Sequence, residues 1–566
     1  MRQLGVGDLF ILGLTRDRGQ YKCAHRKAAK LFDRDNNPAV QRARLRDGQD
    51  CGTGRNTQTG RRNMADTSAD TSATAPANAS GGKISDNKSS DSMAALDPYV
   101  SVRALLIARK WDNASLPRSE WFPALARAGF TGMLAGGNGY TAGMANFLTA
   151  AEIFGAFALP LSFAPVAGAA AALAASDAPA AQAALQQMLD DGAPVLPALQ
   201  SGAKTMVMGA GGGLTAQGSP HGGLSITGTR FAVPDAGEAQ RFLAEAQGPD
   251  GIAVFLFSRD TPGVEYSSLT DATGGNLGAF RFENCAIAPA DVLAQGAQAH
   301  DLLDRMRFAV QLGLGAELSG LGGALMARAG ESHASDRDIA ATLLDISLAR
   351  AFVFGAAGIA RPVEPGALEI IAGARAAASK AALAAAELVL GVRHDDRRTA
   401  IVERLVRRAI VASRIYRQPQ AHKLRFVQWR WGEGAEASIF TQLFTAASRF
   451  AGGPDNAALS PQVADLIEAN ESVRKTAHDA GVAEDPVFRD SHGDAELALM
   501  ALVCADAQHQ AGNDVSAGFL SAARDRTARK IAAGALYAAG SHAALADHPG
   551  DIASRFIAAN RCGTGA

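Results

Sequence analysis

The chain has 566 residues, 47% of them hydrophobic, and its 55 Lys+Arg against 56 Asp+Glu leave a formal net charge of −1. That length exceeds one simple core, so two to four domains are expected. Near neutrality gives no overall pull toward nucleic acid or an anionic membrane.

Five cysteines (Cys23, Cys51, Cys285, Cys504, Cys562) are widely spaced with no CxxC pair. This excludes a disulfide scaffold or a zinc cluster and suits a reducing, cytoplasmic compartment. No uninterrupted apolar run of about 18 residues is present, so no membrane span is expected.

In chain order, residues 1–63 are Arg-rich and irregular. Asp17, Asp33, Asp35 and Asp47 argue against a transit peptide. Initiation at Met64 or Met93 is the preferred reading. Residues 64–92 are rich in Ser, Thr, Asp, Ala and Gly and are expected to be disordered. From 93 to 202 apolar residues recur at helical spacing, as in "SVRALLIARKW" and "SEWFPALARAGFTGML". From 203 to 300, "GGLSITGTRFAVPD", "GIAVFLFSRDTPGVEYSSL" and "LGAFRFENCAIAP" are short apolar runs cut by turn residues, the pattern of strands. Residues 301–450 return to helical spacing, and 451–566 continue it as a helical extension. Helices, then strands, then helices predicts an α+β protein with segregated layers.

Within that order, "WFPALARAGFTGMLAGGNGYTAG", "LSITGTRFAVPDAGEAQRFLAEA", "GIAVFLFSRDTPGVEYSSL" and "FRFENCAIAPADVL" resemble, in order and spacing, segments of the acyl-CoA dehydrogenase family. The resemblance spans roughly residues 95–450. It implies an N-terminal helical domain, a central β-barrel-like domain and a C-terminal four-helix bundle, with FAD in the cleft between them. It also implies homo- or hetero-oligomers, α,β-desaturation of an acyl-CoA thioester, and an electron-transferring flavoprotein as electron acceptor.

The chemistry sets what such a site needs. An α-proton beside a thioester is weakly acidic, so the base must be a positioned carboxylate with its pKa raised by an apolar pocket. The cofactor carries the redox step, and hydrogen bonds to the thioester carbonyl stabilise the enolate.

The family places its base in one of two segments. One is the Glu of an "IYEGT" word late in the bundle, which "QWRWGEGAE" resembles at Glu433. The other is the Glu of an "ERL" word opening the first bundle helix, which "LLDRMRF" resembles at Asp304 and Arg305. The flavin-contacting "ALTEP" loop is matched by "ALQSG", implying cofactor contacts from Leu199, Gln200 and Ser201. "AVPD" implies further contacts from Val233, Pro234 and Asp235. Phe231 lies one residue from the family's aromatic position and is expected in the core.

The sequence also departs from the family. The "QFG" word that helps hold the FAD pyrophosphate is absent after the first bundle helix, as is the late "HGG" word. A second reading is therefore a catalytically degenerate subunit that acts as a structural or acyl-binding partner. A third is a flavin monooxygenase on the same fold. His333 and Asp336 lack partners at metal-ligand spacing. The glycine-rich stretches give no well-formed GxGxxG.

Overall fold

The computed structural model describes residues 98–539, apart from 113–116, 137–139, 160–161, 200–212, 220–222, 330–334, 360–365, 392–395, 415, 417–418, 433–437, 455 and 514. The expectations for residues 1–92 lie outside the described residues.

Five helices come first: α1 (Pro98–Asp112), α2 (Trp121–Arg127), α3 (Tyr140–Ala156), α4 (Phe163–Ala174) and α5 (Pro179–Asp190). Pro179 opens α5 at a position where a missing N–H costs nothing. α4 is apolar on every side, and all residues from Phe163 to Leu173 are buried. It is therefore a core helix.

Eight strands follow: β1 (Val195–Pro197), β2 (Leu214–Gly218), β3 (Leu224–Pro234), β4 (Arg241–Gly248), β5 (Gly251–Ser258), β6 (Val264–Thr270), β7 (Asn276–Ile287) and β8 (Val292–Gln295). They form one sheet in the order β6-β7-β3-β2-β4-β5-β8, with β1 paired in parallel to β4. No β6–β8 ladder closes this path among the described residues, where the sheet is open at both ends. Phe242, Phe257, Phe280 and Phe282 cluster at one face, with ring centroids 4.6–5.3 Å apart and mostly tilted or edge-on rings. Such contacts add roughly 0.5–1.5 kcal/mol per pair beyond burial.

Phe231 departs from expectation: it is 41% exposed. The β3–β7 register shifts between Arg230 and Val233, and Ala232 takes a left-handed φ of 52°. This bulge reverses the face on which Phe231 falls.

Nine helices complete the described chain: α6 (Gly296–Ala329), α7 (Asp336–Ala356), α8 (Ala367–Leu390), α9 (Asp396–Arg414), α10 (Pro419–Trp431), α11 (Ser438–Phe450), α12 (Pro461–Asp479), α13 (Pro486–Gln510) and α14 (Ala517–Ala539). α6 is the central rod, packed against α3, α4, α7, α8 and α9. It is long and apolar enough to cross a bilayer, but 89% of its most apolar window is buried inside the protein. It is a core helix here. Ser335 caps α7 by accepting from the Asp338 N–H at 3.2 Å.

The extension α12–α14 packs onto this body through α13, which touches α7, α10 and α11. Glycines form the sockets. Gly355 lies under Cys504, Gly373 under Leu497, and Gly493 under Val427.

Candidate active site

The sheet meets the long helices along a seam at the end of β1. Ala198, just past that strand, donates its N–H to Leu243 of β4 at 2.8 Å. Its carbonyl accepts from Arg230 Nε at 2.9 Å, and the same guanidinium reaches the Glu245 carbonyl at 2.7 Å. The Glu245 carboxylate in turn pairs with Arg307 of α6 at 2.5 Å. Asp304 lies 3.7 Å from Arg307. Arg230, Glu245 and Arg307 thus connect the strand end that carries Leu199 to Asp304 on α6.

Asp304 is half-buried. Desolvation raises its carboxyl above the ordinary range, against the pull of Arg307, His300 and Arg425. Arg305 is half-buried as well, with no ion pair among the described residues.

A second, deeper cluster lies behind the first. Asp235 follows β3 with a left-handed φ of 55°. Its carboxylate accepts the Ser162 N–H, at the start of α4, at 2.7 Å, and pairs with Arg118 at 2.6 Å. It is a joint between the sheet and the N-terminal helices. Burial pushes its carboxyl up, while Ser162, Arg118 and Arg408 pull it down. Val233 and Pro234 are buried in the β3–β7 ladder opposite Gly278 and Leu277.

Tyr416, in the turn between α9 and α10, has a φ of 63° and donates its hydroxyl to the Pro197 carbonyl at 3.2 Å. Its phenol is pushed far up by burial, and Asp235 and Arg375 act on it electrostatically. Arg375 of α8 is fully buried and holds Gln311 Oε1 at 2.7 Å and the Ala412 carbonyl at 3.1 Å. Burial lowers its pKa to about 9. Glu317 of α6 accepts from Arg408 Nε at 2.6 Å; burial raises this carboxyl too.

Three non-glycine residues at or beside this seam (Ala232, Asp235 and Tyr416) have left-handed backbones. For a bulky residue that conformation costs roughly 1–3 kcal/mol, and such strain gathers at working sites.

Among the site residues expected from sequence, Leu199 and Asp304 are joined by the Arg230–Glu245–Arg307 chain. Asp235 belongs to the deeper cluster. Gln200, Ser201 and Glu433 lie outside the described residues. Tyr416 was missed, although the sequence carried a signal. "RIYRQ" repeats the Ile-Tyr of the "IYEGT" word, and Arg417 follows where that word has its Glu. Arg375, Arg408 and Glu317 gave no signal, because in the sequence they look like the solvated charges of any helix.

No protein-family model matches this sequence, and no curated protein matches it. Solved structures do. The ChsE4–ChsE5 complex from Mycobacterium tuberculosis aligns at 21% identity and a TM-score of 0.51, over 61% of this chain and 98% of the other. A nitroalkane oxidase crystallized with 1-nitrohexane aligns at 14% identity and 0.51, over 60% and 96%. The butyryl-CoA dehydrogenase of Megasphaera elsdenii aligns at 17% identity and 0.47, over 58% and 97%. Over about three fifths of its length the chain shares the fold of the ChsE4–ChsE5 complex and the nitroalkane oxidase. It is a divergent example of that fold.

Proposed function

We propose that this protein is an acyl-CoA dehydrogenase-like flavoprotein of the oxidoreductase class, acting on an acyl thioester in a reducing compartment. The observation that carries this reading is Asp304. It is a half-buried carboxylate whose pKa desolvation raises, tied through Arg307 and Glu245 to the strand end that resembles a flavin loop. A base that must take a weakly acidic α-proton needs such an environment.

The residues present fit FAD at its ring end. Leu199 is half-buried beside a strand end whose Ala198 carbonyl is already held by Arg230, so the wall is fixed before a ligand arrives. FAD, when bound, supplies the two-electron acceptor. Asp304 takes the α-proton, Arg307 holds Asp304 against the sheet, and Arg305 offers a cation to an anionic part of the substrate.

A specific observation favours a second reading, a partner subunit without its own activity. Arg417 stands at the Glu of the "IYEGT" word, and the other seam carboxylates, Asp235 and Glu317, are held by Arg118 and Arg408. One neighbour in fold is described as a complex of two chains. An electron-transferring flavoprotein as acceptor and a homo- or hetero-oligomer belong to the proposal under either reading.

The visible spectrum of the purified full-length chain, before and after incubation with excess FAD, tests both. Bound flavin that acyl-CoA bleaches without oxygen supports the enzyme. Asp304→Asn should then keep the flavin and lower the bleaching rate by roughly a hundredfold or more. Bleaching that survives in Asp304→Asn but is lost in Glu433→Gln moves the base to Glu433. A chain that takes up no flavin is the partner subunit.

A further inference from the structure

Asp304 lies on α6, and the flank of α6 from Met306 to Gly313 is covered by α4 and α3. That cover is tight. A Cβ on Gly168 of α4 would stand 2.6 Å from Val310 Cγ2 and 3.0 Å from the Met306 carbonyl oxygen. A Cβ on Gly313 would stand 2.6 Å from Ala164 Cβ and would overlap the Phe147 ring. Farther along, Gly155 and Gly320 let the backbones of α3 and α6 meet directly, at Glu317 and Glu152. Ala164, Val310, Phe147 and Met306 are all buried. Interiors packed this closely leave no channel for a flexible chain.

A second direction from Asp304 along α6, toward α8 and α9, is polar. Gln311 is half-buried, and Arg375 occupies its carbonyl oxygen at 2.7 Å, so its amide nitrogen is left to donate. Behind it lie Arg375, Arg408 and Glu317, all buried. An alkyl chain pushed against this group would strip hydrogen bonds from buried charges without replacing them.

From these contacts we propose that the site takes a short acyl thioester with a polar acyl end, and excludes long alkyl chains. Gln311 is its specificity-determining residue. The α4–α6 contact closes the apolar route, and the Gln311 amide presents a donor to a hydroxyl or carboxylate on the acyl group. This rests on the acyl-thioester reading above and deepens it.

Equilibrium dialysis of the full-length chain with 3-hydroxybutyryl-CoA, succinyl-CoA, butyryl-CoA and palmitoyl-CoA tests it without requiring flavin. The polar short thioesters should bind tighter than palmitoyl-CoA by about tenfold or more. Gln311→Leu should erase the preference for succinyl-CoA over butyryl-CoA. Val310→Ala, which opens space against Gly168, should raise octanoyl-CoA affinity several-fold relative to 3-hydroxybutyryl-CoA. Palmitoyl-CoA binding as tightly as the short thioesters overturns this inference alone and leaves the function reading in place. Failure of every thioester to bind, with and without added FAD, overturns this inference and the thioester reading together. A Gln311→Leu chain that keeps its succinyl preference removes Gln311 from the role.

Discussion

Two regions of this molecule bury several charges, and they do so differently. The seam holds Asp235, Glu317, Arg375, Arg408 and Tyr416 between the sheet and the long helices. The extension holds Arg430, Glu471, Arg474, Glu496 and Asn470 between α10, α12 and α13. Arg430 pairs with Glu471, and lies 3.3 Å from Glu496. Arg474 pairs with Glu471 at 3.0 Å and donates to the Arg430 carbonyl at 2.7 Å.

The extension network stands on regular helices, whereas the seam carries left-handed backbone at Asp235 and Tyr416 and borders on half-exposed Gln311 and Asp304. The difference separates a fastening from a working surface. Buried ions on unstrained helices fix how elements dock. Buried ions beside strained backbone and partly open polar groups are what the proposed function requires of the seam.

The largest effect should come from breaking the fastening. Arg430→Ala leaves the buried Glu496 carboxylate with only Arg474, 3.9 Å away, and should cost about 3 kcal/mol in denaturant unfolding. Flavin or acyl-CoA affinity measured on the remaining folded fraction should not change. A loss of ligand affinity as large as the loss of stability would merge the two regions into one.

Next is acid sensitivity. His492 is stacked on Phe488, and neither ring nitrogen finds a hydrogen-bond partner among the described residues. Burial, with Arg474 and Arg430 nearby, lowers its pKa to about 3. A depressed folded pKa means that this contribution is whole above the unfolded value near 6.5 and is lost as pH falls toward 3. His492→Phe should flatten that acid limb, which has a slope of up to about 1.4 kcal/mol per pH unit.

At the seam the sign reverses. Asp304 has a raised folded pKa, so its contribution is whole below about 4 and is lost as pH rises through the elevated value. Asp304→Asn should remove this alkaline-going loss, seen as a stability difference between the two proteins that grows with pH. An identical pH profile in both would place Asp304 in solvent.

The smallest effect is local. Ser335→Ala removes the cap of α7 and should cost about 1 kcal/mol, leaving both clusters intact.

Much of the sheet was legible because its strands and turns follow local rules. The ladder of β4 with β5 turns at Pro249-Asp250, and its central runs, Phe242–Ala244 and Ala253–Phe257, are buried throughout. Phe231 shows the limit. It lies inside the bulge between Arg230 and Val233, which reversed its face, and nothing in the alternation predicts a bulge. At the site, Asp304 and Leu199 were found because words of sequence carry them. Arg375, Arg408 and Glu317 were invisible, since which side of a helix a charge faces depends on which helix packs against it. Tyr416 was visible only as two letters of a word whose third letter had changed.

The glycine sockets under α13 have one more consequence. Gly355, Gly373 and Gly493 let the extension sit closer to the body than side chains would permit, and Gly534 does the same for α14 against His492. Surfaces so shaped cannot part gradually. The extension and the long helices should melt together in calorimetry, as one cooperative unit with a single heat-absorption peak.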